Sequence, residues 1–237
     1  MGNMNKQTQK ELLEIVKKNY EEIAEQFNET RKKHLWPELV ELVKGINSGD
    51  SVLDIGCGNG RLLEALQDKQ VNYLGIDSSA KLIELARVKY PNMKFAVGDV
   101  LELSQIPEIN FNYVFCIAVL QHIPSRKLQI DAVRQLRNKI NENGRVVISV
   151  WNMWAQKKYR RLVLKFALLK LIKKNKMELG DILFDWKNAQ GMVVSKRYYH
   201  AFYKMELKRI CKQAGFKVEK VYSDPYNYYA VLGKSPL

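Results

Sequence analysis

The chain has 237 residues, of which 46% are hydrophobic and 27% are charged, a balance typical of a globular protein that buries a core of its own. Its three cysteines, Cys57, Cys116 and Cys211, form no C-x-x-C pair, which argues against a disulfide framework or a zinc site and favours a reducing cytosol. A net charge of +14 favours an anionic partner, such as nucleic acid, a membrane surface or an acidic substrate.

Two helices are predicted over the first 48 residues. Between residues 8 and 27 the apolar side chains recur three and four positions apart, which is the spacing of one helix face. A second, short helix is expected over 36–43, with Pro37 in its first turn.

Strands and helices then alternate. Strands are predicted over 51–55, 72–76, 94–97, 112–117 and 145–151, and helices over 61–66, 79–88 and 125–140, with Gly144 just past the last helix. This alternation predicts a parallel sheet with helices on both faces. After an irregular stretch we expect a helix over 205–214 and two strands, 217–222 and 229–232, whose short connection makes them antiparallel.

The predicted fold class is therefore α/β and Rossmann-like, with a seven-stranded, mostly parallel sheet whose last strand is antiparallel. We expect a single domain over 1–237. Within it, residues 1–48 form the N-terminal helices and residues 153–200 form a basic helical substrate region.

A glycine-rich turn, V-L-D-I-G-C-G-N-G-R over 52–61, joins the first strand to a helix. Its glycines lie at alternate positions: Gly56, Gly58 and Gly60. Glycine lets the backbone approach a ligand where a Cβ would collide; a tight turn without a ligand is the alternative. A dinucleotide fingerprint needs its third glycine at position 61, where the chain has Arg61, so a pyrophosphate ligand is not expected.

Acidic residues follow two further strands, at the edge where open α/β sheets bind ligands. Asp77 ends the second strand, where a carboxylate can accept hydrogen bonds from both ribose hydroxyls; a helix-capping role is the alternative. Asp99 follows the third strand and can accept from an adenine amino group, while the backbone amide of Val100 donates. The pattern favours a nucleoside ligand.

The stretch D-I-G-C-G-N-G, the acid Asp77 and the G-D-V of 98–100 closely resemble the S-adenosylmethionine-binding motifs of class I methyltransferases, over about residues 15–233. The resemblance implies S-adenosyl-L-methionine as the cofactor and no metal. It implies that the methionine moiety is lined by Gly56, Cys57, Gly58 and Gly60. Asp54 would organise the loop and reach the cofactor amine through water, Asp77 would bind ribose, and Asp99 and Val100 would bind adenine. Further cofactor contacts are expected from Tyr20, Arg31, Ser78, Ile117 and Ala118, the last two beside the reactive methyl.

Four shorter stretches indicate which group receives the methyl. They are Y-E-E-I-A-E-Q-F-N-E-T-R (20–31), I-A-V-L-Q-H-I (117–123), S-V-W-N (149–152) and R-Y-Y-H-A-F (197–202). Together they resemble the methyltransferases that esterify carboxymethyl-uridine at the wobble position of tRNA. That family often carries two adjacent histidines where this chain has Gln121 and His122. The resemblance implies tRNA as a partner. Eukaryotic members of that family use a small zinc-binding activator subunit, and the need for such a subunit is open for this chain.

A carboxylate acceptor is ionised at neutral pH, so it needs positioning and exclusion of water rather than a general base. The candidate catalytic residues are hydrogen-bond donors: Arg31, His122, Arg197, Tyr198 and His200. Other roles are open for three of them. His122 could bond the backbone near Pro124, Arg31 could form a surface ion pair, and Tyr198 could belong to the core.

Most of the excess charge lies in residues 151–220, which hold 18 Lys and Arg against 5 Asp and Glu. Within them, residues 156–176 hold nine basic and no acidic residues. This segment could contact tRNA phosphates, lie on anionic lipid, or form an extra helix whose lysines reach outward.

Two other functions are open. The chain could be an O- or N-methyltransferase of a small metabolite, which would use an enclosed apolar pocket. A non-catalytic protein that binds S-adenosylmethionine is a weaker alternative, because the glycine turn and Asp77 are intact.

The start of the chain lacks an apolar signal core and no apolar run could span a bilayer, so a cytoplasmic protein without a transmembrane segment is expected.

Overall fold

The computed structural model describes residues 4–30, 35–187 and 191–234. The chain begins with α1 (Lys6–Thr30) and α2 (Pro37–Leu42). The alternating part consists of β1 (Ser51–Ile55), α3 (Leu62–Ala65), β2 (Asn72–Asp77), α4 (Ala80–Lys89), β3 (Lys94–Val97), β4 (Phe111–Ile117), α5 (Arg126–Arg137) and β5 (Ile140–Trp151). The remaining elements are α6 (Lys157–Leu171), β6 (Asp181–Lys187), β7 (Val193–His200), α7 (Lys204–Gln213), β8 (Phe216–Ser223) and β9 (Asn227–Lys234).

Seven of the strands form one sheet in the order β3-β2-β1-β4-β5-β9-β8. Strands β1 to β5 pair in parallel, and β9 lies antiparallel between β5 and β8. The predicted fold class is therefore confirmed, including the antiparallel last strand. Because β1 lies between β2 and β4 and all three run parallel, their carboxyl ends meet at one edge of the sheet.

The core lies in two layers, one on each face of this sheet. Successive side chains of a strand point to opposite faces, so Leu53 and Ile55 of β1 join one layer and Val52 joins the other. The first layer is covered by α5 and α7, through residues such as Val133 and Ile210. The second layer is covered by α2, α3 and α4.

Two sequence predictions differ from the structure. Helix α5 ends at Arg137, so Gly144 is not its stop signal but lies inside β5. There β5 carries extra residues opposite β4, and a Cβ at Gly144 would lie 2.8 Å from the carbonyl oxygen of Phe111. Close approach of two backbones therefore explains this glycine.

The second difference concerns the region 153–200, predicted to be helical and irregular. Within the described residues of this region only α6 is helical; β6 and β7 form a separate two-stranded antiparallel sheet. The sequences D-I-L-F-D-W-K and V-V-S-K-R-Y-Y-H are rich in β-branched and aromatic residues, which suit a strand pair packed on one side. Tyr199 of β7 packs with Val163 of α6, and Tyr198 packs with Leu12 of α1. None of the described helices is long and apolar enough to cross a bilayer.

Candidate functional site

A cavity of about 750 Å³ lies at the carboxyl ends of β1, β2 and β4, within the size range of small-molecule sites. It brings together most of the predicted cofactor residues: Tyr20, Asp54, Gly56, Cys57, Gly58, Asp77, Ser78, Asp99, Val100, Ile117 and Ala118. Gly60 is outside the lining, since Tyr90 and Phe95 pack against it. Arg31 lies outside the described residues.

The glycine loop is fixed to the neighbouring strand. The amides of Gly56 and Cys57 both donate to the carbonyl oxygen of Ile76 in β2, at 2.7 and 3.0 Å. Gly56 has a φ of +70°, and a Cβ there would lie 2.1 Å from Cγ2 of Val119. Only glycine fits this left-handed and crowded position, so the loop presents backbone to the cavity. The side chain of Cys57 is buried in the core layer below it.

Two carboxylates lie beneath this loop. Asp54 is buried and accepts a hydrogen bond from the hydroxyl of Tyr73 at 2.9 Å. Burial raises the pKa of Asp54 to about 7; the bond from Tyr73 opposes this shift and the charge of Asp77 adds to it. Burial also raises the pKa of Asp77, although the amides of Ser79 and Gly58 donate to its two oxygens, each at 2.9 Å.

None of the ion pairs among the described residues involves Asp54 or Asp77. A positively charged ligand beside them would favour their ionised forms, because an opposite charge lowers a carboxyl pKa. These two carboxylate acceptors therefore fit a ligand that carries both a cation and hydroxyl groups.

The ends of β3 and β4 complete this part of the cavity. The side chain of Asp99 accepts from the amide of Leu101 at 2.8 Å and so begins a short 3-10 turn, Val100–Gln105. Ala118 has a φ of +56°, and its amide donates to the carbonyl oxygen and the hydroxyl of Ser149 at 3.0 and 3.1 Å. These bonds hold the chain after β4 in a strained conformation against the glycine loop.

Helix α1 covers the cavity and is attached to the glycine loop. Asn59 donates from its side-chain amide to Asn28 of α1 at 2.7 Å, and Phe27 lies 3.2 Å from the place of a Cβ at Gly58. Tyr20, about two turns earlier on the same helix, extends from α1 to the residues that follow β4. The helix thus closes the cavity from above.

His122 lies beside Tyr20. Its Nε2 is 2.9 Å from the Tyr20 hydroxyl, and its Nδ1 is 3.4 Å from the carbonyl oxygen of Tyr198. Because a carbonyl oxygen can only accept, Nδ1 carries the proton and Tyr20 donates to Nε2. Burial lowers the pKa of His122 to about 3; the bond to Tyr198 opposes this shift and the charge of Arg197 adds to it. The imidazole is therefore neutral, and it bonds the backbone of β7 rather than the backbone near Pro124.

Arg197 lies one side chain behind the cavity wall. Tyr199 packs against His122 with ring centroids 4.7 Å apart, and it accepts a hydrogen bond from Nη1 of Arg197 at 3.3 Å. The guanidinium stacks on the ring of Trp186 at 3.5 Å and the residue is only 8% exposed. Among the described residues its Nε has no hydrogen-bond partner and no acidic side chain forms an ion pair with it.

Tyr198 and His200 point to the other face of β7, outside the cavity lining. The hydroxyl of Tyr198 donates to Asp181 at 2.8 Å, and Nδ1 of His200 lies 2.6 Å from the same oxygen. Nε2 of His200 lies 3.3 Å from Glu206. Burial lowers the pKa of His200, but the bonds to Asp181 and Glu206 outweigh it and raise that pKa to about 10. A buried imidazolium therefore joins β6, β7 and α7.

The cavity also includes residues that the sequence analysis did not assign to the site. Gln121 stood out there only as a departure from the family's histidine pair, and Trp151 only as part of a family stretch. Asn227 carried no local signal, because antiparallel pairing with Trp151 is what brings it to the cavity. Within the described ranges, no group of three or more His, Cys, Asp or Glu is placed to hold a metal ion.

Known proteins resemble the chain in both sequence and fold. A family model described as a methyltransferase domain matches residues 20–221. The tRNA (carboxymethyluridine(34)-5-O)-methyltransferase of Saccharomyces cerevisiae is 35% identical over 138 residues, which are 58% of this chain and 48% of that protein. The protein of the same name from Schizosaccharomyces pombe is 26% identical over 229 residues, 94% of this chain and 97% of that one. The match thus spans about half the length of the first relative and nearly all of the second.

A solved structure of a SAM-dependent methyltransferase from Methanosarcina mazei superposes with a TM-score of 0.68. It is 18% identical, and the match covers 85% of this chain and 99% of that one. At this identity the likeness shows the fold, which is that of class I methyltransferases.

The buried His200 should make stability depend on pH. Its pKa is raised from 6.5 to about 10. The contribution of His200 to the free energy of unfolding is therefore complete below pH 6.5 and is lost as pH rises through about 10. The free energy of unfolding, measured by urea denaturation, should therefore fall between neutral pH and pH 9.5 by roughly 1 kcal/mol or more.

The His200→Gln variant should be less stable at neutral pH but should show a shallower decline over the same interval. The slope of the free energy of unfolding against pH is compared between the two proteins. A loss of stability that the substitution causes equally at every pH therefore does not affect the result. Equal slopes would mean that His200 is not a buried cation.

Proposed function

The chain belongs to the methyltransferase domain family and uses S-adenosyl-L-methionine, and we propose that it methylates the carboxylate of a carboxymethyl group on the wobble uridine of tRNA. The names of two relatives support this acceptor. The observation in this chain that carries the proposal is Arg197, a nearly buried cation without an acidic partner among the described residues. Residues of the cavity bind and orient the two reactants, and the cofactor, when bound, supplies an electrophilic methyl group on a positively charged sulfur.

The carboxylates Asp54 and Asp77 bind the cofactor in this proposal. Asp77 accepts from the ribose hydroxyls, and Asp54 lies below the loop on the side of the amine. The backbone of Gly56, Cys57 and Gly58 lines the methionine moiety, while Gly60 shapes the turn. Tyr20, whose hydroxyl donates a hydrogen bond to His122, lines the cavity and is assigned to the cofactor as well.

The other residues assigned to the cofactor lie at the ends of successive strands. Asp99 and the amide of Val100 bind adenine beyond β3, and Ser78 lies beside the ribose acid. Ile117 and Ala118, at the end of β4, lie beside the transferable methyl. The hydrogen bonds from the Ala118 amide to Ser149 hold this part of the cavity lining in place.

The acceptor side of the cavity suits a group that is already ionised. His122 has a pKa of about 3 and its ring nitrogens are occupied by Tyr20 and Tyr198, so it is a weak base. An amine or phenol acceptor must lose a proton, whereas a carboxylate has none to lose at neutral pH. The site therefore favours a carboxylate.

Arg197 is proposed to hold that carboxylate. A buried charge without a partner is unfavourable, and an anion that binds to the guanidinium relieves this cost. Stacking on Trp186 and the bond to Tyr199 fix the plane of the guanidinium, as bidentate recognition of a carboxylate requires. Tyr198 and His200, which face away, are assigned to positioning: the carbonyl oxygen of Tyr198 holds His122, and His200 anchors β7.

Contact with tRNA phosphates is assigned to α6 and the loop after it. Residues 156–176 carry nine basic side chains, and none of them takes part in an ion pair among the described residues. The first turn of α6 lies near the proposed acceptor side of the cavity, where Tyr199 packs against His122. Tyr159 of α6 packs on Phe184, and Phe184 packs on Tyr199. Phosphates beside the reacting nucleotide would meet these cations.

The remaining expectations from the sequence stay predictions. They are the small activator subunit, a cytoplasmic location, a place for Arg31 in the site, and the division into N-terminal helices over 1–48 and a substrate region over 153–200.

Incubation with tritiated S-adenosylmethionine tests the acceptor. Bulk tRNA should become labelled, and mild alkali should release the label, because the product is an ester. The rate should fall by at least about tenfold when salt rises from about 50 to about 200 mM, since several phosphate contacts release counterions. Label in a metabolite extract instead of tRNA, at a rate indifferent to salt, would support a small-molecule methyltransferase and contradict the proposal.

The Asp77→Asn variant tests the ribose contact. It should bind S-adenosylhomocysteine about 10- to 100-fold more weakly in calorimetry, because hydrogen bonds to a charged group are lost. Asp50→Asn is a suitable control: Asp50 also accepts from a backbone amide, that of Asn47, but lies outside the cavity lining. An unchanged affinity in Asp77→Asn would remove the ribose assignment.

The Arg197→Ala variant tests the carboxylate contact. It should keep its affinity for S-adenosylhomocysteine but lose about 100-fold in kcat/KM for tRNA, as expected when one partner of a buried ion pair is removed. Arg197→Lys should recover only part of this loss, because an ammonium lacks the planar fork. The control is Lys196→Ala, which removes the neighbouring, exposed cation of β7. Equal activity in Arg197→Ala and Lys196→Ala would refute the assignment.

A further inference from the structure

Gln121 is an unsatisfied amide in the wall of the cavity. It lies in the short 3-10 turn Leu120–His122, lines the cavity, and is fully buried. Neither Nε2 nor Oε1 of its side chain has a hydrogen-bond partner among the described residues. A buried donor or acceptor without a partner is destabilising by about 1–3 kcal/mol, so a ligand group that satisfies both is expected here.

The backbone around Gln121 is firmly placed. Two hydrogen bonds from the Ala118 amide fix the chain before it, and the amide of His122 donates to the carbonyl oxygen of Val119 at 2.8 Å after it. Val119 in turn packs on Gly56. Since this turn follows β4, Gln121 lies on the methyl side of the cavity, whereas the proposed adenine residues follow β3.

A carboxamide offers one donor direction and one acceptor direction in the same plane, and its best partner offers the complementary pair side by side. The amine of the cofactor can only donate and its carboxylate can only accept. The adenine edge is assigned to Asp99 and Val100. What remains is the base of the acceptor nucleotide, whose ring carries an N–H next to a carbonyl oxygen.

We propose that Gln121 determines base specificity by pairing with the imide edge of the acceptor uracil. Its Oε1 accepts from the N3–H of the base, and its Nε2 donates to an adjacent carbonyl oxygen. This inference rests on the proposed function and adds to it a contact that recognises the base, where Arg197 recognises the carboxylate. It also explains why a buried amide can lack a partner in the part of the chain that the structure describes: the pairing group arrives with the substrate.

The test uses anticodon stem-loops that carry carboxymethyluridine, with or without a methyl group on N3 of that base. The N3-methyl group removes the donor that Gln121 accepts from. The wild-type protein should use the N3-methylated substrate about tenfold less well or worse in kcat/KM, the effect of a lost bidentate base contact. Gln121→Ala should lose a similar factor on the ordinary substrate and should no longer distinguish the two.

Gln129→Ala is the matched control. Gln129 is also fully buried and also has an unpartnered Oε1, but its Nε2 donates to the carbonyl oxygen of Ile123 and it lies outside the cavity lining. That variant should keep the wild-type preference for the ordinary base. Both variants should bind S-adenosylhomocysteine with wild-type affinity.

Gln121→Glu provides a second readout that loss of stability cannot imitate. An ionised carboxylate can only accept, whereas a protonated one regains a donor. Its activity relative to the wild type should therefore rise as pH falls.

Two results overturn the inference and differ in what they imply. If the wild type methylates the stem-loop but Gln121→Ala still rejects the N3-methylated base, the contact is absent and the proposed function stands. If the wild type does not methylate the stem-loop, the proposed function fails and the inference fails with it.

Discussion

The amide of Gly58 donates to the carboxylate of Asp77, and the shape of the cavity depends on this bond. Together with the bonds from Gly56 and Cys57 to Ile76, it fixes the loop after β1 onto the end of β2. The loop can follow this path because its glycines accept a left-handed φ and leave no Cβ between backbone and ligand. A carboxylate that orders the loop is thereby held at the place where the proposed function puts the ribose.

A second wall is built from parts that are distant in sequence. His122, after β4, packs between Tyr20 of α1 and Tyr199 of β7, and its ring donates a hydrogen bond to the carbonyl oxygen of Tyr198. The small sheet of β6 and β7 positions this wall, and the buried contact of His200 with Asp181 and Glu206 anchors the sheet. This second wall is therefore held in place by packing and hydrogen bonds, as the glycine loop is by its bonds to β2, although it belongs to a different part of the chain.

The charges of the two walls are opposite. Asp54 and Asp77 lie on the side of the glycine loop, without a cationic partner in any described ion pair, and burial raises the pKa of both. Arg197 lies behind the other wall without an acidic partner of the described part of the chain. Such an arrangement suits a cationic methyl donor on one side and an anionic acceptor on the other. The neutral His122 between them adds no competing charge.

The sequence by itself determined the succession of strands and helices along the chain, the glycine loop and the positions of three acids: Asp54 within β1, Asp77 at the end of β2 and Asp99 after β3. These features are local: the periodicity of apolar residues and the spacing of glycines and acids are written in short segments of the chain. For the same reason Asp54, Asp77 and Asp99 could be expected at one edge of the sheet, since parallel strands end together.

Only the tertiary structure decided which side chains face the cavity. Tyr198 and His200 lie on the face of β7 opposite Tyr199, and no local pattern of R-Y-Y-H indicates which face meets His122. The pairing of β6 with β7 and the approach of Asn227 beside Trp151 also depend on residues far apart in sequence. The same is true of Gln121, which has no partner within the described ranges. The physical reason is that burial and hydrogen-bond satisfaction are properties of surroundings assembled from the whole chain, whereas propensity and spacing are properties of a segment.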